Sequence, residues 1–381
     1  MQETLFVILK ILAGLAGLGI VVFVHELGHF LAARAMGINV EAFSLGWGKP
    51  VLKKKIGDVE YRLGIFPVGG YCKMAGDNSY EEAWKRYKEG APPVSGTWFS
   101  SAPWRRIITA FSGPLFNIIF AILVFSVVWG IGFEYEAMDT RIALAKETDG
   151  GTERIFPAEK SGLITGDRIL SIDEKPVETF FDIQRIVTVS AEKKLRFEIE
   201  RGGEKEPLLF IVEPELKKEN GAGFIGVRPG GELIHYKTPN YSIFGAIAKG
   251  SQEAFWMLDS TLRGLRLLFR GIDLTQSVSG PARITWMAGE VAAEAFSQSI
   301  FDGLRQFAMI LALISIALGV TNLLPLPVLD GGTIILFIVE QIIRRPMHPK
   351  VYSAFQTAGA LVIAGLMVLA LTGDIMFFAG K

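Results

Sequence analysis

An apolar stretch from Leu5 to Val24, broken by one charge at Lys10, runs directly into His25-Glu26-Leu27-Gly28-His29 and resumes with Phe30, Leu31, Ala32 and Ala33. It is long enough to cross a bilayer, which takes about 20 apolar residues in a helix. A helix stacks residues four apart on one face, so it sets the two imidazoles one turn apart with a carboxylate beside them. HExxH on a helix is the ligand-and-base arrangement of a zinc hydrolase. Ionisable groups at membrane depth are costly to bury and mark function by default. The structural alternative is a polar pair that holds helices together. The chain has only 4 histidines, so a chance match to this pattern is rare.

The 381 residues are 50% hydrophobic, with a mean hydropathy of +0.35. That is too apolar for an ordinary soluble domain and too charged for membrane throughout. Lys plus Arg and Asp plus Glu balance at 39 each, which gives no sign of nucleic-acid binding. Cys72 is the only cysteine, which excludes an internal disulfide and a CxxC zinc site. The first apolar run has no basic segment before it and exceeds a signal-peptide core, so it is expected to stay attached.

Four segments have spanning length: roughly Leu5 to Met36, Ile107 to Phe133, Phe307 to Leu329 and Tyr352 to Phe378. Residues 37–106 carry eleven Lys and Arg residues, and Arg344, Arg345 and Lys350 precede the fourth segment. The positive-inside rule puts both basic loops in the cytoplasm, and both termini and the long 134–300 stretch outside. The fold class expected is thus a polytopic α-helical membrane protein with one extracytoplasmic α+β domain, to which the resemblance given below adds a membrane-associated β-hairpin region. The segments are 1–36, 37–106, 107–135, 136–230, 231–300, 301–343 and 344–381.

In 37–106, Val59, Tyr61, Leu63 and Ile65 alternate with Glu60, Arg62 and Gly64, which reads as a strand. Lys55-Ile56-Gly57-Asp58 reads as a turn; Gly69, Gly70 and Gly76 break the pattern; residues 77–100 read as a polar linker. Residues 231–300 include an amphipathic helix around 242–270, either lying on the outer membrane surface or packed on the soluble domain. Within 136–230, Pro157-Ala158-Glu159-Lys160-Ser161-Gly162-Leu163 leads into Gly166-Asp167-Arg168-Ile169-Leu170-Ser171-Ile172. A helix around Phe181 to Val189 and strands near Leu195–Ile199 and Leu208–Val212 follow, and Gly223-Phe224-Ile225-Gly226-Val227 closes the unit. This order resembles a bacterial-type PDZ domain, with Ser161 where alanine is usual. The resemblance implies a peptide groove along Gly223 to Val227.

A catalytic zinc needs three protein ligands and one open position. His235 and His348 lie outside the apolar segments. Asp330, after Asn322-Leu323-Leu324-Pro325-Leu326-Pro327-Val328-Leu329, is the better third candidate. The prolines unwind the third segment there, which is tolerated within protein or beside a water-filled cavity. A plain helix-end carboxylate is the other reading of Asp330.

With HELGH, Gly113-Pro114-Leu115-Phe116-Asn117, one PDZ-like unit and Asn322-x-x-Pro-x-Pro-x-Leu-Asp330-Gly in that order, the chain resembles the site-2 protease family. These are the intramembrane zinc metalloproteases of peptidase family M50, and the likeness is to their RseP-like, sigma-E-regulating bacterial members. The resemblance covers essentially the whole chain. It implies Zn2+ on His25, His29 and Asp330, Glu26 as catalytic base, and Asn322 at the substrate or the oxyanion. Thr333 stands where relatives often carry histidine, a position that is not a metal ligand.

A spanning helix shields its peptide bonds and must unwind before cleavage. An exposed strand edge in Tyr61 to Tyr71, with Tyr61, Leu63, Ile65, Gly69 and Gly70, is the candidate to hold it by β-augmentation; an ordinary surface hairpin is the alternative. Asn117 either contacts substrate or bonds between helices. The PDZ-like unit either binds a chain end or filters substrates by size. The partners implied are the lipid bilayer and single-span membrane proteins, of anti-sigma-factor or signal-peptide-remnant type, pre-trimmed by another protease. The localisation implied is the bacterial inner membrane, with the site near the cytoplasmic side. The alternative function is an inactive scaffold recruiting partners through the PDZ-like unit.

Overall fold

The computed structural model describes residues 2–77, 79–145, 154–217, 221–267 and 280–379. Two compact units emerge. One combines the described residues of Met1–Gly130, Ile243–Thr261 and Val278–Lys381; the other is centred on Ile131–Ser242.

Helices of the first unit are α1 (Gln2–Ala35), α2 (Tyr80–Lys88) and α3 (Pro103–Ile131). Among the described residues, four helical stretches are long and apolar enough to span a membrane: Lys10–Ala35, Pro103–Ile131, Ile300–Asn322 and Pro349–Ala379. The third differs from expectation. The apolar run does not continue to Leu329, because its helix stops at Asn322 and a new one starts at Asp330. Pro325 and Pro327 lack the N–H a helix needs, and Val328 turns the chain at φ +77°, a backbone conformation that a β-branched residue rarely adopts.

Strands β1 (Val40–Ile56) and β2 (Val59–Met74) follow α1 and meet at the expected turn, where Ile56 faces Val59 and Gly57 has φ +61°. Each is bent in two, at Gly46 and Gly48 in β1 and at Gly69 in β2, all with positive φ. Leu45 consequently faces both Leu63 and Gly70, and Phe43 faces both Tyr61 and Cys72. The first half of β1 therefore lies between the two halves of β2. Phe43, Val40, Val59 and Met74 pack with Phe30 and Ala33 of α1, and with Trp98, into one core. The expected 77–100 linker also holds a helix, α2, whose Tyr80 is buried.

In the second unit β3 (Glu134–Met138) and β4 (Ile142–Leu144) precede α4 (Pro157–Lys160), β5 (Arg168–Ile172), β6 (Lys175–Pro176), α5 (Phe180–Thr188), β7 (Leu195–Glu200) and β8 (Leu208–Val212). Short strands β9 (Glu215–Leu216), β10 (Gly223–Phe224), β11 (Val227–Pro229) and β12 (Leu233–Lys237) complete it. One sheet runs β6-β5-β7-β8; β3 pairs with β12, β4 with β11 and β9 with β10. Alternation puts Leu195, Phe197 and Ile199 of β7 in a core with Ile169, Ile172, Ile183 and Val212. The α5 start is a capping box between Thr179 and Asp182. The unit extends past the expected end at 230, because β12 closes back on β3.

Five further helices follow: α6 (Ile243–Leu267), which belongs to the first unit as far as Thr261, and, within that unit, α7 (Pro281–Gln298), α8 (Ile300–Asn322), α9 (Asp330–Ile343) and α10 (Pro349–Ala379). The expected amphipathic segment is helical as α6, and it comes close enough to α3 that a Cβ on Gly250 would lie 2.4 Å from the Ser126 nitrogen. Glycines let α7 press on α1 in the same way, with Gly289 against the Lys10 carbonyl and Gly14 against Thr285. Buried Asp374 of α10, an acid that no motif marks, accepts from the Gly280 and Ala282 amides and caps the start of α7.

Candidate metal centre

The α1 helix carries His25 and His29 on one face, both buried, with Nε2 atoms 3.1 Å apart. Asp330, the first residue of α9, brings Oδ2 to 3.2 Å from His25 Nε2 and 3.5 Å from His29 Nε2. These three form the one group of metal-ligand type found among the described residues. Zinc bonds of 2.0–2.2 Å in a tetrahedron imply ligand–ligand edges of about 3.3–3.5 Å, so the three separations fit one face of such a site.

Hydrogen bonding orients the donors. His29 Nδ1 donates to the Thr109 carbonyl of α3 at 2.8 Å, which leaves the Nε2 lone pair facing the cluster. Asn117 Nδ2 lies 3.1 Å from His25 Nδ1, and its buried Oδ1 has no partner. With Oδ1 turned to the ring, His25 Nδ1–H donates and its Nε2 lone pair also points inward. Two lone pairs and a carboxylate oxygen converging at contact distance repel one another unless a cation lies among them. The donor set fits zinc.

Close packing is local sequence made geometry. A Cβ on Gly113 would come 2.3 Å from His29 Nε2, and one on Gly28 would come 2.4 Å from the Ser112 carbonyl. Gly331 and Gly332 let α9 start against the Leu323, Leu324 and Leu326 carbonyls, which fixes Asp330. Ser315 of α8 donates to the Asn117 carbonyl and ties α8 to α3.

The centre opens into a cavity of about 530 Å³ whose wall includes Glu26, Gly69, Gly70, Tyr71, Asn322 and Thr333. Glu26 is half-buried beside these three side chains, next to Gly70, where an added Cβ would sit 3.2 Å from its Cγ. Asn322 reaches His25 Nε2 at 3.3 Å from the last turn of α8. Thr333 spends its hydroxyl on the Leu329 carbonyl. Burial, with the carboxylates of Glu26 and Asp77, pushes the Cys72 thiol up, so Cys72 stays a neutral thiol beside the cavity.

Two expectations need correction. Asn117 does not face substrate: it is fully buried behind His25, so its polar groups serve the imidazole and the helix contact. Tyr61 and Leu63 are not at a free strand edge. Tyr61 is paired to Phe43 on one side and Lys54 on the other, and Leu63 to Leu45 and Leu52. Ile65 is outside the cavity wall. Gly69 and Gly70 are at the cavity, and the segment 70–74 pairs only with 40–45 among the described residues. Alternation alone could not reveal that β1 and β2 fold back on themselves. The Thr109 carbonyl was also invisible in the sequence, since every residue has one.

In the second unit, Gly223, Phe224, Ile225 and Val227 line a cavity of about 340 Å³ with α5 residues Phe180, Ile183 and Val187. Gly226, at φ +79°, lies against Phe156 instead.

Residues 13–366 match Peptidase family M50. The chain belongs to that family. A Treponema pallidum protein named "Putative zinc metalloprotease" is 31% identical over 450 aligned positions, covering 97% of this chain and 99% of that one. A Rhizobium meliloti protein of similar designation is 32% identical over 374, covering 95% of each. Metalloprotease MmpA of Caulobacter vibrioides is 32% identical over 385, covering 94% of this chain and 93% of that one. As an M50 peptidase the chain is a zinc metalloprotease with a multi-pass membrane character, of the site-2 protease type.

Proposed function

We propose that this peptidase cuts single-span membrane proteins within their transmembrane segments, with His25, His29 and Asp330 holding zinc and Glu26 as base. The observation that carries the reading is the convergence of three donors from α1 and α9 at tetrahedral spacing, next to Glu26 and at the depth of an apolar helix. When bound, zinc supplies Lewis acidity toward the scissile carbonyl and an attacking water. Glu26, beside the three donors, would serve as the base, taking a proton from attacking water at its carboxylate and returning it to the leaving amine. Asn322 donates to the oxyanion from the cavity wall.

The unwound substrate adds as a strand to the unpaired edge 70–74, which brings its backbone past Glu26. The groove at Gly223–Val227 supports a PDZ-like role for the second unit, and the extracytoplasmic side follows from the positive-inside rule. Inner-membrane residence and anti-sigma-factor-like or signal-peptide-remnant substrates, trimmed first by another protease, complete the reading.

The test is Glu26→Gln in the full chain, assayed on a single-span reporter with metal content measured in parallel. Zinc is retained, and cleavage falls by about 10²–10⁴-fold, the usual contribution of a general base. Undiminished cleavage would overturn the assignment, and so would a reporter cut only outside its apolar segment.

A further inference from the structure

A second cavity, of about 460 Å³, lies away from the metal centre, between α2, the start of α3 and the end of α9. Its wall carries Arg86, Arg106, Arg344 and Arg345 against a single carboxylate, Glu340. That carboxylate is fully committed: it accepts from Arg106 at 2.7 Å, from the Tyr80 hydroxyl at 2.9 Å and from the Met347 amide at 2.9 Å. The positive excess is therefore not neutralised within the cavity.

Arg106 is 4% exposed, yet its Nε and Nη1 have no hydrogen-bond partner. Arg86 gives Nη2 to the Pro92 carbonyl, and its Nε is likewise buried and unpartnered. Unspent guanidinium N–H groups are costly to bury and fit the oxygens of an anion. Arg344 and Arg345 are exposed and form no ion pair among the described residues.

The surroundings decide which anion. Trp104 lies at the rim, and Ile108 and Phe111 follow it at helical spacing on the outer face of α3; all three are exposed. Indole at the mouth, apolar side chains along the helix and arginines inside match, in turn, the headgroup level, the acyl region and the phosphate of a lipid. A soluble phosphate would have no use for the apolar stripe.

We propose that this cavity is a binding site for the headgroup of an anionic phospholipid, with the phosphate held by Arg86, Arg106, Arg344 and Arg345 and an acyl chain along Trp104, Ile108 and Phe111. The lipid would brace α2, α3 and α9 together. Because α9 begins at Asp330, occupancy would also steady the third donor of the metal centre.

The experiment uses the full chain in neutral detergent, with thermal unfolding followed as phosphatidylglycerol, phosphatidylcholine or inorganic phosphate is added. Ligand that binds the folded state raises the midpoint. Phosphatidylglycerol raises it in the wild type and in a Lys53→Gln/Lys54→Gln control, which removes equal charge from the hairpin tip. It does so far less in Arg344→Gln/Arg345→Gln, where binding weakens about 30-fold, which is about 2 kcal/mol. Arg86→Gln, on another element, gives a second reading should the double variant fold poorly, and must weaken binding too. Equal responses to both lipids, equal losses in the hairpin control, or full binding with Arg86 replaced would overturn the proposal. A response to inorganic phosphate matching that to phosphatidylglycerol would make this a soluble-anion site and overturn it as well.

Discussion

Two acids, one fully buried and one half-buried, show opposite solutions to the same problem. Asp167 has no exposed surface, yet Arg201 meets both its oxygens at 2.7 and 2.8 Å and the Ile164 amide adds a third bond. Its charge is balanced inside the protein, and the result is architecture. Asp330 meets two imidazoles whose Nδ1 atoms are turned away toward Thr109 and Asn117. Its neighbourhood is complete only with a cation. A buried charge that the chain satisfies by itself holds a fold, and one that it leaves for a ligand makes a site.

Zinc removal is the broadest way to break this contrast. Chelation should abolish cleavage and loosen α1, α3 and α9, read as faster hydrogen exchange around His25, His29 and Asp330, while Ile169, Phe197 and Ile199 stay protected. Loosening spread equally over both units would contradict it. His29→Ala should likewise remove bound zinc and all measurable cleavage, read by metal analysis and the reporter assay.

Arg201→Ala tests the other half. Asp167 then keeps one backbone bond and loses its counter-charge, which costs about 2–4 kcal/mol. Proteolytic sensitivity should rise between Ile131 and Ser242 with zinc content unchanged. Asn117→Ala should weaken zinc binding about 10–100-fold by freeing the His25 ring, without touching Glu26; unaltered affinity would return Asn117 to a purely interhelical role. The smallest effect belongs to the surface. Burial alone would raise the Glu215 carboxyl, but hydrogen bonds from Arg154 and Lys160 hold it below its ordinary value of 4.5. The stability it contributes is present above that value and fades as pH falls through the lowered one. Glu215→Gln should cost no more than about 0.5 kcal/mol at neutral pH, measured by thermal unfolding.

Much of this was legible before folding was considered. Hydrophobic length marked the first, second and fourth spans to within a few residues, because desolvation acts on composition. The β7 alternation and the Thr179–Asp182 cap were equally local. Pairing was not: Tyr61 and Gly70 belong to one strand, yet only Gly70 is at the cavity, since the bends at Gly46, Gly48 and Gly69 turn one hairpin into four limbs. Hydropathy alone carries the third span on to Leu329, because it counts the leucines of 323–329; the unwinding was legible from Pro325 and Pro327, but not that the helix stops as early as Asn322.

The sequence by itself determined the chemistry available: two imidazoles and a carboxylate on one helix turn, and a second carboxylate after a proline-broken segment. Those follow from helical period and from the cost of charge in an apolar run, which need no knowledge of the rest of the chain. Tertiary structure decided which groups meet. Glycines at 28, 113, 331 and 332 let backbones approach closely enough to bring Asp330 to two histidines some 300 residues earlier and to hide Asn117 behind one of them, while 70–74, paired on one side with 40–45, keeps its other edge unpaired among the described residues. Contact at that range depends on packing between helices, and no local pattern encodes it.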